Sequence, residues 1–334
     1  MMTIARGDRL GLVAVLLLTV LPITMAAAKE PAAGKAEAAE KADKAKKAKA
    51  APKKPPPPAK TLFGAAKAPA ALKARAIGFY SRGCLAGGKA LPIDGPAWQA
   101  MRLSRNRNWG HPTLVAVVER LAKDAKKHDG WPGLLVGDLA QPRGGPMLTG
   151  HASHQIGLDA DIWLTPMPDR RLSARERETM SAVSMLKDKL SVDPKVWTPA
   201  HVRLIKRAAS YAEVERVLVH PAIKKALCEA VKGERAWLNK VRPYWGHHYH
   251  MHIRIGCPKD SPTCRPQKPT LADDGCGKEL DDWYRLLTRP PRPPKPKPPG
   301  YKPKPRPQIT LDHLPPECRT VLAAEPVRTK SADQ

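Results

Sequence analysis

No two of the six cysteines in this chain stand in a C-x-x-C pair. That absence speaks against a cysteine zinc site and against a thioredoxin type of redox centre. No cysteine follows the apolar run near the start, which argues against a lipoprotein anchor. The run itself, Leu10 to Thr24, is short for a transmembrane span. No segment repeats at a fixed period. Acids are scarce: 31 Asp and Glu stand against 58 Lys and Arg, for a formal net charge of +27.

What is present divides the 334 residues into unlike parts. Residues 1–28 read as a secretory signal peptide: Arg6 and Arg9 give a charged start, an apolar run follows, and Met25-Ala26-Ala27-Ala28 offers small residues for cleavage. An uncleaved membrane anchor is the alternative. Residues 29–60 are Lys, Ala and Pro with almost nothing to bury, the composition of a disordered linker. Residues 61–288 hold the expected core. Residues 289–307 form a second Pro/Lys-rich linker, suited to an extended polyproline spacer. Residues 308–334 form a tail that docks if Cys318 is paired.

Residues 29–60 carry ten Lys against four acids, and residues 289–306 carry seven Lys or Arg and no acid. These tracts therefore supply +13 of the net +27. Such charge attracts polyanions. No nucleic-acid recognition motif accompanies it, and an exported chain meets an anionic wall or membrane surface instead. Six cysteines in an exported chain suggest three disulfides, with 15 connectivities open from sequence alone. Cys257 and Cys264 are the easiest local pair.

Helical spacing of apolar residues predicts helices over Pro112–Lys127, Ala174–Lys189, Ala200–Ala212 and Pro221–Lys232. Short strands are expected at Leu134–Leu139, Leu158–Leu164, Val214–Val219 and His248–Ile255. The mixture implies an α+β fold, with a small antiparallel sheet carrying the site between flanking helices and disulfides stabilising the whole.

Histidine carries the functional information. Two of the eleven lie at His151 and His154, and four more at His247, His248, His250 and His252. In the strand around Asp161, alternation turns Leu158, Ala160 and Ile162 to the core and puts Asp159 and Asp161 on the other face. In the last strand, His248, His250 and His252 share one face, and Tyr249, Met251 and Ile253 share the other, which reads as core. Two imidazoles and a carboxylate, with a position left open, are the usual composition of a catalytic zinc site.

His154-x6-Asp161 followed by His250-x-His252 resembles the ligand pattern of lysostaphin-type and D-Ala-D-Ala metallopeptidases. The match is closer to the penicillin-insensitive murein endopeptidases. Ser81-Arg82-Gly83-Cys84, Met101 to Arg107, Gln141-Pro142-Arg143-Gly144-Gly145, Gly150 to Asp159 and Trp245-Gly246-His247 are similar to that family, over about residues 78–287. The resemblance implies zinc held by His154, Asp161 and His252, with His250 beside it as base or transition-state stabiliser. It implies His247 and His151 as further active-site groups, either of which could bind a second metal or orient a ligand, with Asp188 a weaker candidate for that second metal. It also implies disulfides Cys84–Cys318, Cys228–Cys276 and Cys257–Cys264. The expected substrate is the D-alanyl–meso-diaminopimelyl cross-link of peptidoglycan, met in the periplasm, with no serine for a β-lactam to acylate. Arg143 and Arg105 are candidate clamps for substrate carboxylates. Tyr244 and Trp245 suit a cleft wall or the core. His248 stands where a polar non-histidine residue is expected. A zinc D,D-carboxypeptidase and a non-catalytic wall-binding protein are the competing functions. The oligomeric state stays open between monomer and homodimer.

Overall fold

The computed structural model describes residues 55–290, 293–294, 296–298, 300–303 and 307–327. The expected signal peptide and nearly all of the first linker lie outside the described residues. So do parts of the second linker and residues 328–334. From Pro56 onward the described residues form one compact unit.

Among the described residues, thirteen short strands build it: β1 (Arg75–Phe79), β2 (Arg82–Ala86), β3 (Lys89–Ala90), β4 (Asp94–Gly95), β5 (Trp98–Ala100), β6 (Trp109–Gly110), β7 (Leu134–Val136), β8 (Asp159–Trp163), β9 (Leu186–Asp188), β10 (Ser191–Val192), β11 (Val214–Val219), β12 (Val241–Pro243) and β13 (His250–Ile255). Seven of them form one sheet in the order β12-β11-β13-β8-β7-β5-β4. The expected small antiparallel sheet is thus corrected to a seven-stranded mixed one. Its centre is antiparallel, with β8 and β13 paired along their length. Two pairs are parallel, β5 with β7 and β11 with β12. Each parallel pair is joined by a crossover that contains a helix, as parallel neighbours require. Strands of two or three residues, such as β4 and β12, carry too few side chains to show alternation in sequence.

The helix between β5 and β7 is Pro112–His128. Pro112 occupies its first turn, where the missing N–H costs nothing, and His111 caps it by accepting from the Thr113 amide. Leu114, Val117, Val118, Leu121 and Ala125 recur at helical spacing and are buried. Lys126, Lys127 and His128 complement the negative end of the dipole. Two further helices, Pro199–Ser210 and Pro221–Ala230, fall close to the expected spans. The helix expected over Ala174–Lys189 stops at Thr179. Arg102, distant in sequence, donates to the carbonyls of Arg177 and Met180, and the chain then leaves as the extended segment leading to β9. Tertiary hydrogen bonding overrides the local periodicity there.

The main core lies under the sheet, where Ala160, Ile162, Met251, Ile253 and Val217 meet the Pro112–His128 helix. A second cluster forms where the C-terminal segment returns. The helices Ala59–Ala65 and Glu317–Ala323 bring Phe63, Cys318 and Val321 against β1 and β2, and Leu314 joins them from the segment before the second helix. Among the described residues the first helix thus starts at Ala59, inside the tract expected to be linker. Three bonds join Cys84 to Cys318, Cys228 to Cys276 and Cys257 to Cys264. This is the pairing that the family resemblance implies.

Candidate metal centre

The antiparallel register of β8 and β13 creates the site. It sets His252 opposite Asp161 and Arg254 opposite Asp159. Paired residues in such a ladder project to the same face, so two acids meet an imidazole and a guanidinium there. The other faces of both strands bury Ala160, Ile162, Met251 and Ile253.

His154 enters from the preceding loop with φ 65°, in the left-handed region that a non-glycine residue rarely adopts. Its amide donates to Asp159 Oδ2 at 3.0 Å, which holds the strained turn. Its ring is fully buried, with Nε2 at 3.4 Å from Asp161 Oδ1. Neither ring nitrogen has a hydrogen-bond partner. His252 presents Nδ1 to Asp161 Oδ1 at 3.1 Å and Nε2 to Asp159 Oδ1 at 2.8 Å. His250 Nε2 lies 3.6 Å from Asp161 Oδ1, and its Nδ1 is buried without a partner. His151 Nε2 sits between Asp138 Oδ2 at 3.1 Å and Asp161 Oδ2 at 3.4 Å. Ligand atoms of His151, His154 and Asp161 all fall within 4.8 Å of one another, so the group can hold a metal ion. Buried imidazole nitrogens with no partner are what a metal would satisfy.

The protonation pattern follows from burial and these neighbours. Burial works against the Asp161 charge, but His154 and His250 overcome it and keep the carboxyl well below its usual range. Burial also opposes the Asp138 charge, while His151, Arg107 and Arg105 bring its pKa down to about 2. For His252 burial opposes protonation, and Asp159 and Asp161 together reverse that, raising its pKa. His250 is pushed down to about 4, mainly by burial. His247 falls to about 3 by burial and by the nearby His252 and His250.

Each residue expected from sequence has a definite place. His151, His154, Asp161, His250 and His252 converge. His247 joins them at the rim, its ring centroid 4.8 Å from that of His250, with Nδ1 donating to the Trp245 carbonyl. Arg105 lies on a short 3-10 turn, Leu103–Arg105, and reaches Asp138 Oδ2 at 3.0 Å beside the cluster. Four expectations are corrected. Arg143 is no substrate clamp: it is buried, and its guanidinium is consumed by the carbonyls of Ala68, Val321 and Leu322. The glycines after it serve close packing, since a Cβ on Gly145 would stand 2.2 Å from the Phe63 ring. Asp188 is no metal ligand: it is exposed and accepts from Leu190 N and Ser191 Oγ in the β9–β10 turn. His248 precedes the strand and bonds Ser184 Oγ rather than facing the cluster. Tyr249 is not core but lines a cavity beside His250.

Sequence reasoning missed Asp138, which gathers Arg105, Arg107 and His151 on one carboxylate. Its signal was an acid placed directly after the apolar strand Leu134–Val136 and a glycine. It also gave no role to Arg254, whose Nε donates to Asp159 Oδ1 at 2.6 Å and which stacks on Tyr80.

Cavities flank the cluster on two sides. One of about 290 Å³ is lined by Arg102, Arg105, Asp138, His151, Trp163 and His250. The other, about 410 Å³, includes His151, Arg216, Tyr244, His247, His252 and Trp283. The comparison with known proteins agrees with the motifs. Residues 76–323 match the family model described as penicillin-insensitive murein endopeptidase. The chain belongs to this family. A penicillin-insensitive murein endopeptidase of Haemophilus influenzae is 44% identical over 232 residues, covering 70% of this chain and 78% of that one. Those of Klebsiella pneumoniae and Pectobacterium atrosepticum are 41% and 39% identical, over 75% and 79% of this chain and 86% and 89% of theirs. The span matched by the family model takes in both histidine clusters and all six cysteines. It leaves out the Lys-rich first linker.

Proposed function

We propose that this chain is a zinc metallo-endopeptidase that hydrolyses D-alanyl–meso-diaminopimelyl cross-links of peptidoglycan in the periplasm and is insensitive to penicillin. The observation that carries the reading is His154: fully buried, with two unpartnered ring nitrogens, beside Asp161. A fully buried ring whose two nitrogens make no hydrogen bond, with a carboxylate beside it, is what a bound metal would complete.

His154, Asp161 and His252 are the residues that would hold zinc. Asp159 accepts from Nε2 of His252, so in the neutral ring Nδ1, here hydrogen-bonded to Asp161, is the nitrogen that would be available to a metal. His151 is already engaged with Asp138 and stands beside this set as a neighbouring donor. Bound zinc supplies Lewis-acid polarisation of a peptide carbonyl and lowers the pKa of a water toward about 7. His250 is neutral at pH 7, because burial holds its pKa at about 4, and so can accept a proton. His247 is likewise neutral, and its Nδ1–H is committed to the Trp245 carbonyl, which leaves Nε2 as the acceptor. Either imidazole can hand that proton to the leaving amine. Cavities on both sides of His151 suit a substrate that continues past the scissile bond in both directions, as a cross-link does.

The test is a muropeptide digest read by mass spectrometry. Cross-linked dimers should fall to intact monomers, with the activity stopped by a chelator, restored by zinc and unaffected by penicillin. Release of terminal D-alanine with dimers intact would replace the reading by a carboxypeptidase. No product from the zinc-loaded protein would leave a wall-binding role.

A further inference from the structure

Arginines stand on both sides of the cluster. On the Asp138 side, Arg105 and Arg107 both pair with the Asp138 carboxylate, and Arg102 donates to the carbonyls of Arg177 and Met180. On the other side, three arginines come together on the sheet. The register of β11 with β13 sets Leu218 opposite His252 and Arg216 opposite Arg254. Val217 and Val219 point into the core, so Leu218 and Arg216 share the face that carries His252. Arg254 is neutralised by Asp159, and Arg242 by Asp273 and Glu279. Arg216 donates to the main-chain carbonyl of Lys268, and among the described residues no carboxylate comes within ion-pair range of it. Burial and the positive fields of Arg254 and Arg242 pull the Arg216 pKa down, against a partial opposing attraction from Glu215 and Tyr80.

We propose that Arg216 is a specificity-determining residue that binds a free carboxylate of the peptide stem on the His247 side of the scissile bond. The inference rests on the peptidoglycan reading above and deepens it. A half-buried guanidinium between two other cations is relieved when an anion enters, and a planar carboxylate can take two parallel N–H donors. The cavity that holds Arg216 also holds His247 and His252, so an anion bound there sits on a ligand that reaches the cluster. Tyr244 and Trp283 line the same cavity, and Trp245, like Tyr244 about half exposed, packs its ring 4.9 Å from that of Trp283. They offer a wall for the uncharged part of the stem.

The experiment uses a set of cross-linked muropeptide dimers, each with one carboxyl group amidated, beside the unmodified dimer. Wild type, Arg216→Gln and Arg216→Lys, all zinc-loaded, are compared by KM, kcat and calorimetric affinity. For the unmodified dimer, Arg216→Gln should raise KM by about 10- to 100-fold with little change in kcat, the range for losing a charged hydrogen-bonded contact. One amidated dimer should show the same loss with wild type, and Arg216→Gln should cost nothing further on it. Arg216→Lys should recover part of the affinity. Equal losses across the whole set, or none, would overturn the assignment. If Arg216→Gln does not fold, as judged by circular dichroism, the wild-type series decides: uniform affinity for all the amidated dimers overturns it. A wild type that binds selectively but cleaves no cross-link would keep the carboxylate site and remove the endopeptidase reading.

Discussion

The cleft and the C-terminal seam are both rich in buried polar groups, yet they are built on opposite terms. At the seam, the Arg143 guanidinium is taken up by three carbonyls, and Cys84 is bonded to Cys318. In the cleft, His154 and His250 keep buried nitrogens without partners, and His154 holds a left-handed backbone. Full satisfaction marks a region made to stay closed; incomplete satisfaction and strain mark one made to receive something. Arg143 and Arg216 show how far this separates residues of one type. The first is spent on holding the fold, and the second has no carboxylate within ion-pair distance among the described residues.

The sharpest way to break the comparison is to empty the cleft of its central carboxylate. Asp161→Ala should abolish bound zinc, read by elemental analysis, and with it hydrolysis, while circular dichroism shows the fold retained. Full zinc retention would move the ligand to Asp159. Asp159→Asn should be milder, weakening zinc by about 10- to 100-fold, because it loosens His252 without removing a ligand.

The seam should answer in stability instead. Replacing Cys84 and Cys318 by serine should cost about 2–5 kcal/mol in chemical denaturation, with activity per folded molecule unchanged. Arg143→Met strands three carbonyls and should cost about 3 kcal/mol, with KM unaltered. A raised KM would return Arg143 to the cleft.

The smallest expected effect is one of pH. His220 caps the Pro221–Ala230 helix through Nδ1, and burial lowers its pKa from 6.5 to about 4. The unfolded chain therefore takes up the proton first as pH falls. The stability is fully present above pH 6.5 and drains away toward pH 4. Discounted for partial solvent access, about 1–2 kcal/mol is at stake. Melting curves of wild type and His220→Asn should diverge over that window, with the asparagine variant the flatter.

Much of the site is legible in the chain's own pattern. Alternation in 158–164 and 248–255 put Asp161 with His250 and His252 on facing surfaces, because a strand has a period of two and its core face was unambiguous. The family motifs named the same residues and all three disulfides. Arg143, Asp188 and His248 could not be sorted this way, since composition and spacing do not say where a side chain finds its partners. Asp138 stayed hidden because its three partners come from distant loops.

What this sequence determined by itself was local: helices set by 3.6-residue periodicity and by proline at their first turns, strands set by alternation, and a clustered set of imidazoles. What only the tertiary structure decided was pairing. The β8–β13 and β11–β13 registers brought Asp159, Asp161, His252, Arg254 and Arg216 onto one face. The β5–β7 and β11–β12 crossovers made the sheet mixed. The physical reason is that period and propensity act over a few residues, whereas a charge's partner or a strand's neighbour is chosen among all segments that the fold brings within reach.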